Sequence, residues 1–347
     1  MKAIILPEFG APDVLRFGEA PDPELGPGEV RVHVQAAIVS RTKDVGARAG
    51  RPPFAPRMTL PHVLGAEHAG TVDAVGEGVD PALLGRSVAV SAVLSCNDCR
   101  ACAIGREEAC SSFRLIGVDR PGSYAQYTVV PAANVHPTPS GMAPEMAAAL
   151  AANGPVARAQ LDAGGVGRDS VVLIPGGAGS LGSAAAALAA WRGAHVIAIE
   201  RLPQKAPALA ALPLFASFDS ERDDLAAAIL DRTDGWGVDC VVDNLGYAPL
   251  WNRYRPALAD MGRIVVSGAL GTEPIPMQLS PFYLRSQSLI GVRTGNRAQM
   301  RALWEDVRAG FELPASLITP VDWTDVVDAH QTVENGTARG QLVLRIA

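Results

Sequence analysis

The sequence predicts a two-domain α/β protein in which an irregular β-barrel precedes a doubly wound parallel sheet. Three observations carry that prediction. The chain has 347 residues, long for one core and comfortable for two. Its first 150 residues are rich in Gly and Pro, with short β-branched runs set between turn signals. Beyond residue 170, short apolar runs alternate with helix-like stretches at the spacing of a parallel sheet.

The elements follow in order. Val30 to Val34, Gly70 to Val75, Ser87 to Val93 and Tyr124 to Val130 read as the barrel strands. VVLIP (171–175) opens the second domain and leads through glycines into the Ala-rich SLGSAAAALAAWRG. HVIAI (195–199), FASFD (215–219), VDCVVD (238–243), RIVVS (263–267) and SLIGVR (288–293) supply further strands. Between them lie the helix-like PQKAPALAAL and DDLAAAILDRT and one more helix. These strands are largely apolar, as burial on both faces requires. From about Leu313 the tail returns to short strands and closes on QLVLRI, which rejoins the first domain. The expected division is 1–152, 153–296 and 297–347, the last segment returning to the first domain.

Composition narrows the function classes. Hydrophobic residues make up 48% and charged residues 19%, which supports a large core and excludes global disorder. A net charge of −6 with both signs scattered gives no basic stripe, arguing against nucleic acid. No apolar run reaches membrane-spanning length, and MKAIILPEF alternates like a strand rather than a signal peptide. The expectation is a cytoplasmic protein acting on a small molecule, without membrane or nucleic-acid partners.

Two motifs carry chemistry. GGAGSLG places Gly176, Gly177, Gly179 and Gly182 between a strand and a helix, satisfying G-x-G-x-x-G. Such a turn lets backbone approach a pyrophosphate and aims free helix amides at it. Glu200 ends the next strand, eighteen residues past Gly182, where an acid holds the adenosine ribose hydroxyls. A carboxylate there repels a 2′-phosphate and favours NADH over NADPH, whereas Arg201 beside it could pair with that phosphate.

Cys96, Cys99, Cys102 and Cys110 form the second motif, four of the chain's five cysteines in C-x2-C-x2-C-x7-C spacing. In a reducing compartment, clustered cysteines are metal ligands rather than disulfides. Four thiolates saturate a tetrahedral Zn2+ and leave no position for water or substrate, so this lobe (96–110) is a structural site. Cys240, in an apolar strand, reads as a small buried hydrophobe.

These features together resemble the medium-chain dehydrogenase/reductase superfamily along essentially the whole chain. The resemblance rests on the cysteine lobe, GAEHAGTVDAVGEGV (65–79), GSYAQYTVV (122–130), GGAGSLG, GVDCVVDNLG (237–246) and GRIVVSGALG (262–271). It implies a GroES-like β-barrel domain plus a Rossmann domain, and hydride transfer to or from NAD(P). It also implies cofactor contacts from the glycine turn with Ser180 and Leu181, from Glu200 and Arg201, and from Asn244 and Gly268.

Members of that superfamily divide into zinc-dependent alcohol dehydrogenases and zinc-free quinone or enone reductases. In the zinc-dependent members a Cys stands three positions before an Asp; here that Asp is Asp44 and the slot holds Arg41. The His of their G-H-E motif is replaced by Ala66 in Gly65-Ala66-Glu67, and the third ligand slot aligns with Ala152. The resemblance therefore implies one structural zinc and no catalytic zinc. The thioester-reductase branch carries a Tyr two residues past the closing Gly, where this chain has Pro52. His62 and His68 read as packed in the barrel, and His33, His136, His195 and His330 form no ligand spacing.

Losing the metal removes the Lewis acid that polarises a carbonyl, so hydrogen-bond donors or another cation must meet the charge that develops on oxygen. Arg41 and Lys43 are the candidates. Arg41 is expected to pair with Glu67, with either Arg41 or Lys43 facing the oxyanion or an acidic substrate group. The plainer alternative is a solvated basic turn with Glu67 capping a backbone amide. Three readings follow: a reductase of activated alkenes or quinones; an alcohol or carbonyl dehydrogenase using Arg or Lys in place of zinc; and a nucleotide-binding scaffold or regulator without turnover. By the same resemblance, SQSLIGVR supplies a sheet edge that pairs across a homodimer or homotetramer axis.

Overall fold

The structure is a computed structural model of the chain and describes residues 1–201 and 205–347. The chain divides into two compact units: residues 1–152, 296–308 and 318–347 form the first, and 153–295 with 309–317 the second.

The first unit is built around the strand Glu29–Ile38. Its alternating EVRVHVQAAI buries Val30, Val32 and Val34, as period-2 patterning dictates. His68–Val75 and Tyr127–Pro131 pair antiparallel along it. The C-terminal strand Gln341–Arg345 joins its far end, with Val343 opposite Ile38, and carries the parallel strand Ile318–Asp322 outside it. On the other side, Ser87–Val90 and Val135–Pro137 extend the sheet from His68–Val75. A smaller sheet of Arg16–Glu19, Lys2–Leu6 and His62–Val63 covers a core that includes Leu6, Leu64, Tyr124 and Leu344. The expected Ser87–Val93 run breaks after Val90 and resumes as Val93–Leu94, which pairs with Arg114–Leu115 to frame the cysteine lobe. Tyr124 lies ahead of its strand, buried at 0% exposure.

In the second unit, the parallel order is Ala216–Asp219, His195–Glu200, Val171–Pro175, Val238–Asp243, Leu258–Val266, Ser288–Gly291. The order reverses beside Val171–Pro175, which opens a crevice at the carboxyl ends of the strands there and at Val238–Asp243. Val172, Leu173 and Ile174 are fully buried, which explains the unbroken apolar run of VVLIP. Of PQKAPALAAL, Ala206–Leu209 is helical, while Pro203 and Gln204 lie outside the described residues. The expectation that all of 297–347 joins the first domain is corrected at one point. Residues 309–317 group with the second unit, where Phe311 packs at 6.2 Å from the Trp191 ring.

One glycine fixes the geometry of the first unit. Gly65 has φ of +100°, and a Cβ there would stand 2.6 Å from both Ser123 Oγ and Tyr124 Cδ1. Both terms oppose any larger residue. Gly65→Ala should therefore lower unfolding free energy by about 3 kcal/mol, read as a lower urea midpoint with an unchanged slope.

Candidate functional site

The segment after Glu29–Ile38 turns sharply at Ser40 into a wide π-type turn, Arg41–Val45. The Ser40 hydroxyl accepts the Lys43 amide at 3.2 Å, and its carbonyl accepts the amides of Asp44 and Val45. Such turns recur where a helix is bent for function. The Asp44 side chain then points back into the unit. Its Oδ2 accepts the Ser40 amide at 2.8 Å and its Oδ1 the Gly65 amide at 3.1 Å. One carboxylate thus ties the turn to the Gly65-Ala66-Glu67 segment.

That tie places Lys43 beside Glu67, and the Lys43 ammonium forms an ion pair with Glu67 Oε1. Glu67 is largely buried, its Oε2 without a hydrogen-bond partner among the described residues, while the Lys43 side chain stays 20% exposed. The expected Arg41–Glu67 pair is corrected here. Arg41 is exposed and donates from Nη1 to the Val333 carbonyl at 3.0 Å. Lys43 follows the hydrogen-bonded amide of the turn inward; Arg41, two residues earlier, opens toward the helix Val326–Glu334.

Behind this pair lies a buried polar layer. Burial pushes Asp44 up to about 7, opposed by the Ser40 amide and reinforced by the nearby Glu67 charge. Tyr124 Oη lies 3.3 Å from His330 Nε2 and 3.4 Å from the Ile38 carbonyl, and burial raises its phenol well above the usual range. His330 is fully buried and pushed down to about 3 by burial and by Arg48. Arg48, also fully buried, donates from Nη2 to Glu334 Oε2 at 2.6 Å. Nothing in the sequence links Tyr124 to His330, 206 residues apart. His68 donates from Nδ1 to the Ala66 carbonyl at 3.1 Å and is driven down to about 4 by burial, so it packs as a neutral core residue. Ala66 and Ala152 are buried.

The second constellation lies in the other unit, at the carboxyl ends of its strands. Gly176 (φ +74°) turns the chain out of Val171–Pro175, and Ser180–Trp191 begins directly after Gly179. A Cβ on Gly177 would meet the Ala198 Cβ at 2.8 Å, and one on Gly182 would meet the Gly176 carbonyl at 2.2 Å. Around Gly179, by contrast, only the Gly176 carbonyl stands within 4 Å, leaving the cradle open. Amides in the first turn of a helix have no intrahelical acceptor and suit an anion. Glu200 folds back on this turn, accepting the Ala178 amide at 3.3 Å on Oε2 and the Arg201 amide at 3.1 Å on Oε1. Arg201 is exposed. Across the crevice, buried Asp243 accepts the Leu245 and Gly246 amides and the Tyr254 hydroxyl, which shapes the turn bearing Asn244. Gln160 Nε2 donates to Asn244 Oδ1 at 2.7 Å, and a Cβ on Gly268 would meet the Asn244 carbonyl at 2.5 Å. A glycine turn, free helix amides and an acid at the end of the next strand are the features a dinucleotide site uses.

The third is the cysteine lobe. All four Sγ atoms lie within 4.8 Å of one another, with separations of 3.5 Å (Cys99–Cys102, Cys96–Cys110) and 4.0 Å (Cys96–Cys102, Cys99–Cys110). A tetrahedron with metal–sulfur bonds of about 2.3 Å has sulfur–sulfur edges of about 3.8 Å, so the set fits zinc with every position filled. The Cys102 amide lowers the Cys99 thiol to about 5, and the Cys96 amide lowers Cys110. Asn296 ties the lobe to the helix Arg297–Arg308, donating to the Gly105 carbonyl and to Glu108 while capping the amides of Ala298 and Gln299. Among the described residues, no other group of three or more metal-ligating side chains is gathered in this way. Cys240 is buried in its strand, as expected. Also among the described residues, no helix is long and apolar enough to cross a membrane.

Comparison with known proteins follows the same division. Residues 26–140 match the alcohol dehydrogenase GroES-like domain, and 180–309 match the zinc-binding dehydrogenase family. An NAD-dependent alcohol dehydrogenase of Sulfolobus acidocaldarius is 30% identical over the full length of both chains. An L-threonine 3-dehydrogenase of Pyrococcus furiosus is 31% identical over 76% of this chain and 73% of its own. Among solved structures, an NAD-dependent alcohol dehydrogenase superposes with a TM-score of 0.92 at 30% identity, covering all of both chains.

The buried acid and the buried imidazoles give opposite pH signatures. Asp44 is raised from 3.8 to about 7, so the folded chain keeps a proton that the unfolded chain releases over that range. Its contribution to stability is greatest below the lower value and is lost as pH rises toward the upper one. His68 and His330, both depressed, contribute stability above their unfolded value that is lost as pH falls. Asp44→Asn removes only the first effect. The stability of the variant relative to wild type, from urea unfolding, should rise between about pH 4 and about pH 7.5 by a few kcal/mol, roughly. A pH-independent difference would mean that Asp44 titrates normally.

Proposed function

Because the chain belongs to the medium-chain dehydrogenase/reductase superfamily, we propose that this NAD(P)-dependent oxidoreductase reduces a carbonyl-conjugated double bond or a quinone by hydride transfer, without a catalytic zinc. The observation that carries this reading is the Lys43–Glu67 ion pair, in a chain whose family ligand slots hold Arg41, Ala66 and Ala152. Gly176, Gly177, Gly179, Ser180, Leu181 and Gly182, with Glu200, Arg201, Asn244 and Gly268, would hold NADH, which would supply the hydride. The cysteine lobe holds a structural zinc on Cys96, Cys99, Cys102 and Cys110.

The residues of the chain then divide the work. Negative charge grows on the carbonyl oxygen as an alkene or quinone accepts hydride, and a preorganised cation there lowers the barrier. Lys43 is that cation. Glu67 orients the ammonium, and Asp44 holds Glu67 and the turn in register through the amides of Ser40 and Gly65. Arg41, exposed on the Val333 carbonyl, is placed to meet an acidic group on the substrate. Glu200 repels a 2′-phosphate, which favours NADH.

A second reading, oxidation of an alcohol with Lys43 polarising the carbonyl product, is favoured by the names of the alcohol and threonine dehydrogenases cited above. The exposed Leu279, Tyr283, Leu284 and Leu289 around the edge strand Ser288–Gly291 support a homodimer or homotetramer.

NADH oxidation against a panel of quinones and enones, with alcohols and NAD as the second panel, separates the readings. Turnover on alcohols alone would overturn the reductase assignment, and NADH binding with no turnover on either panel would make the protein a scaffold. Metal analysis should find one zinc per chain; two would restore a catalytic zinc. Lys43→Ala should lower kcat by about 100-fold or more, while Arg41→Ala changes kcat by less than about threefold and raises KM for acidic substrates only. A Lys43→Ala/Glu67→Gln double variant, which leaves no buried carboxylate unpaired, should show the same kcat loss with unchanged NADH affinity. Glu200→Ser should shift the NADH to NADPH preference by at least about tenfold toward NADPH.

A further inference from the structure

Beside the cysteine lobe, and lined by none of the residues assigned to the reaction, lies a cavity of about 420 Å³. Ser95, Asn97 and Arg114 line it from the lobe, and Arg120, Asn134 and Arg297 from the barrel and the start of the helix Arg297–Arg308. Its charges do not cancel. Glu29, which also lines it, is taken by Arg120 at 2.8 Å, and Asp119 is held by the two-pronged guanidinium of Arg57. Arg297 donates to Asn97 Oδ1 at 2.7 Å, and its nearest carboxylate, Glu107, stands 4.0 Å away. The Arg114 side chain is exposed and makes no hydrogen bond or ion pair among the described residues, while its backbone pairs with Leu94. The cavity therefore presents one unspent guanidinium, one partly compensated guanidinium and the exposed Asn97 amide, whereas Asn134 spends its amide nitrogen on the Ser91 and Val93 carbonyls.

The surroundings report the same surplus. His136, buried two residues from Asn134 and hydrogen-bonded to Ser91, is pushed down to about 4 by burial and then by the charges of Arg301 and Arg297.

We propose that this cavity binds a metabolite carrying a phosphate or carboxylate group, anchored by the fork of Arg114 and steadied by Arg297. Guanidinium forks match such oxyanions in a bidentate way. The volume, within the ordinary range for small-molecule sites, admits a body larger than the anion itself. A ligand there spans the lobe and the barrel, which gives the zinc-bearing loop a binding role besides its structural one.

The test is calorimetric titration of the NADH-saturated enzyme at constant ionic strength, so that the glycine turn is already filled, with inorganic phosphate and with citrate as the two probes. Saturable binding of at least one probe with Kd at or below about 10 mM is expected. Arg114→Ala should weaken it at least about tenfold, and Arg114→Lys less, while NADH affinity and turnover stay unchanged. Binding of phosphate alone assigns a phosphate ester, and of citrate alone a polycarboxylate. No saturable heat from either probe, or binding unaltered in Arg114→Ala, overturns the proposal. Arg114 makes no contact whose loss could unfold the chain, so the variant remains a fair test.

Discussion

The first unit hangs on the carboxylate of Asp44. It is buried, yet it spends both oxygens on backbone amides from separate segments, Ser40 on one and Gly65 on the other. A carboxylate in that position substitutes for backbone pairing where two loops approach without forming a sheet. Remove it, and the amides of Ser40 and Gly65 lose their acceptor while the turn that carries Lys43 loses its anchor. The left-handed Gly65 belongs to the same arrangement, since only a residue without Cβ lets the backbone come so close to Ser123 and Tyr124.

Around this clamp the unit accepts a run of costly choices. Arg48, Tyr124, His68 and His330 are all fully buried polar groups, and three of them, Arg48, His68 and His330, carry atoms with no partner among the described residues, as does Glu67. Burying such groups is unfavourable unless they are paired, and proteins concentrate the exceptions where function requires them. The ion pair of Lys43 and Glu67 sits at the edge of this layer, where one partner remains reachable from solvent and the other does not. An ammonium held in that way has its orientation fixed before any substrate arrives, which is the condition under which a charge assists a reaction rather than merely binding it.

Much of this was legible in the residues themselves. VVLIP, VDCVVD and RIVV lie within strands of the parallel sheet because their runs of apolar side chains suit burial on both faces. GGAGSLG named its turn because Gly177 and Gly182 answer specific close approaches and Gly176 a left-handed backbone. The cysteine spacing named its cluster, and the four sulfurs do converge. Other features were not legible. Whether Arg41 or Lys43 turns toward Glu67 depends on how the wide turn at Arg41–Val45 is wound, and local spacing does not encode a π-type turn. The grouping of residues 309–317 with the second unit depends on Phe311 meeting Trp191, a packing choice between residues 120 positions apart.

The sequence by itself determined the alternation of strand and helix, the glycine turn, the four-cysteine lobe and the identities of Arg41, Ala66 and Ala152 at the positions that the family resemblance compares with metal ligands. Each of these is a local pattern or a local substitution, readable within about twenty residues. Tertiary structure alone decided that Asp44 bridges to Gly65, that Tyr124 meets His330 and that Lys43 rather than Arg41 holds Glu67. Those pairings join segments distant in the chain, and their protonation and direction follow from burial, which no stretch of sequence carries until the chain has closed around it.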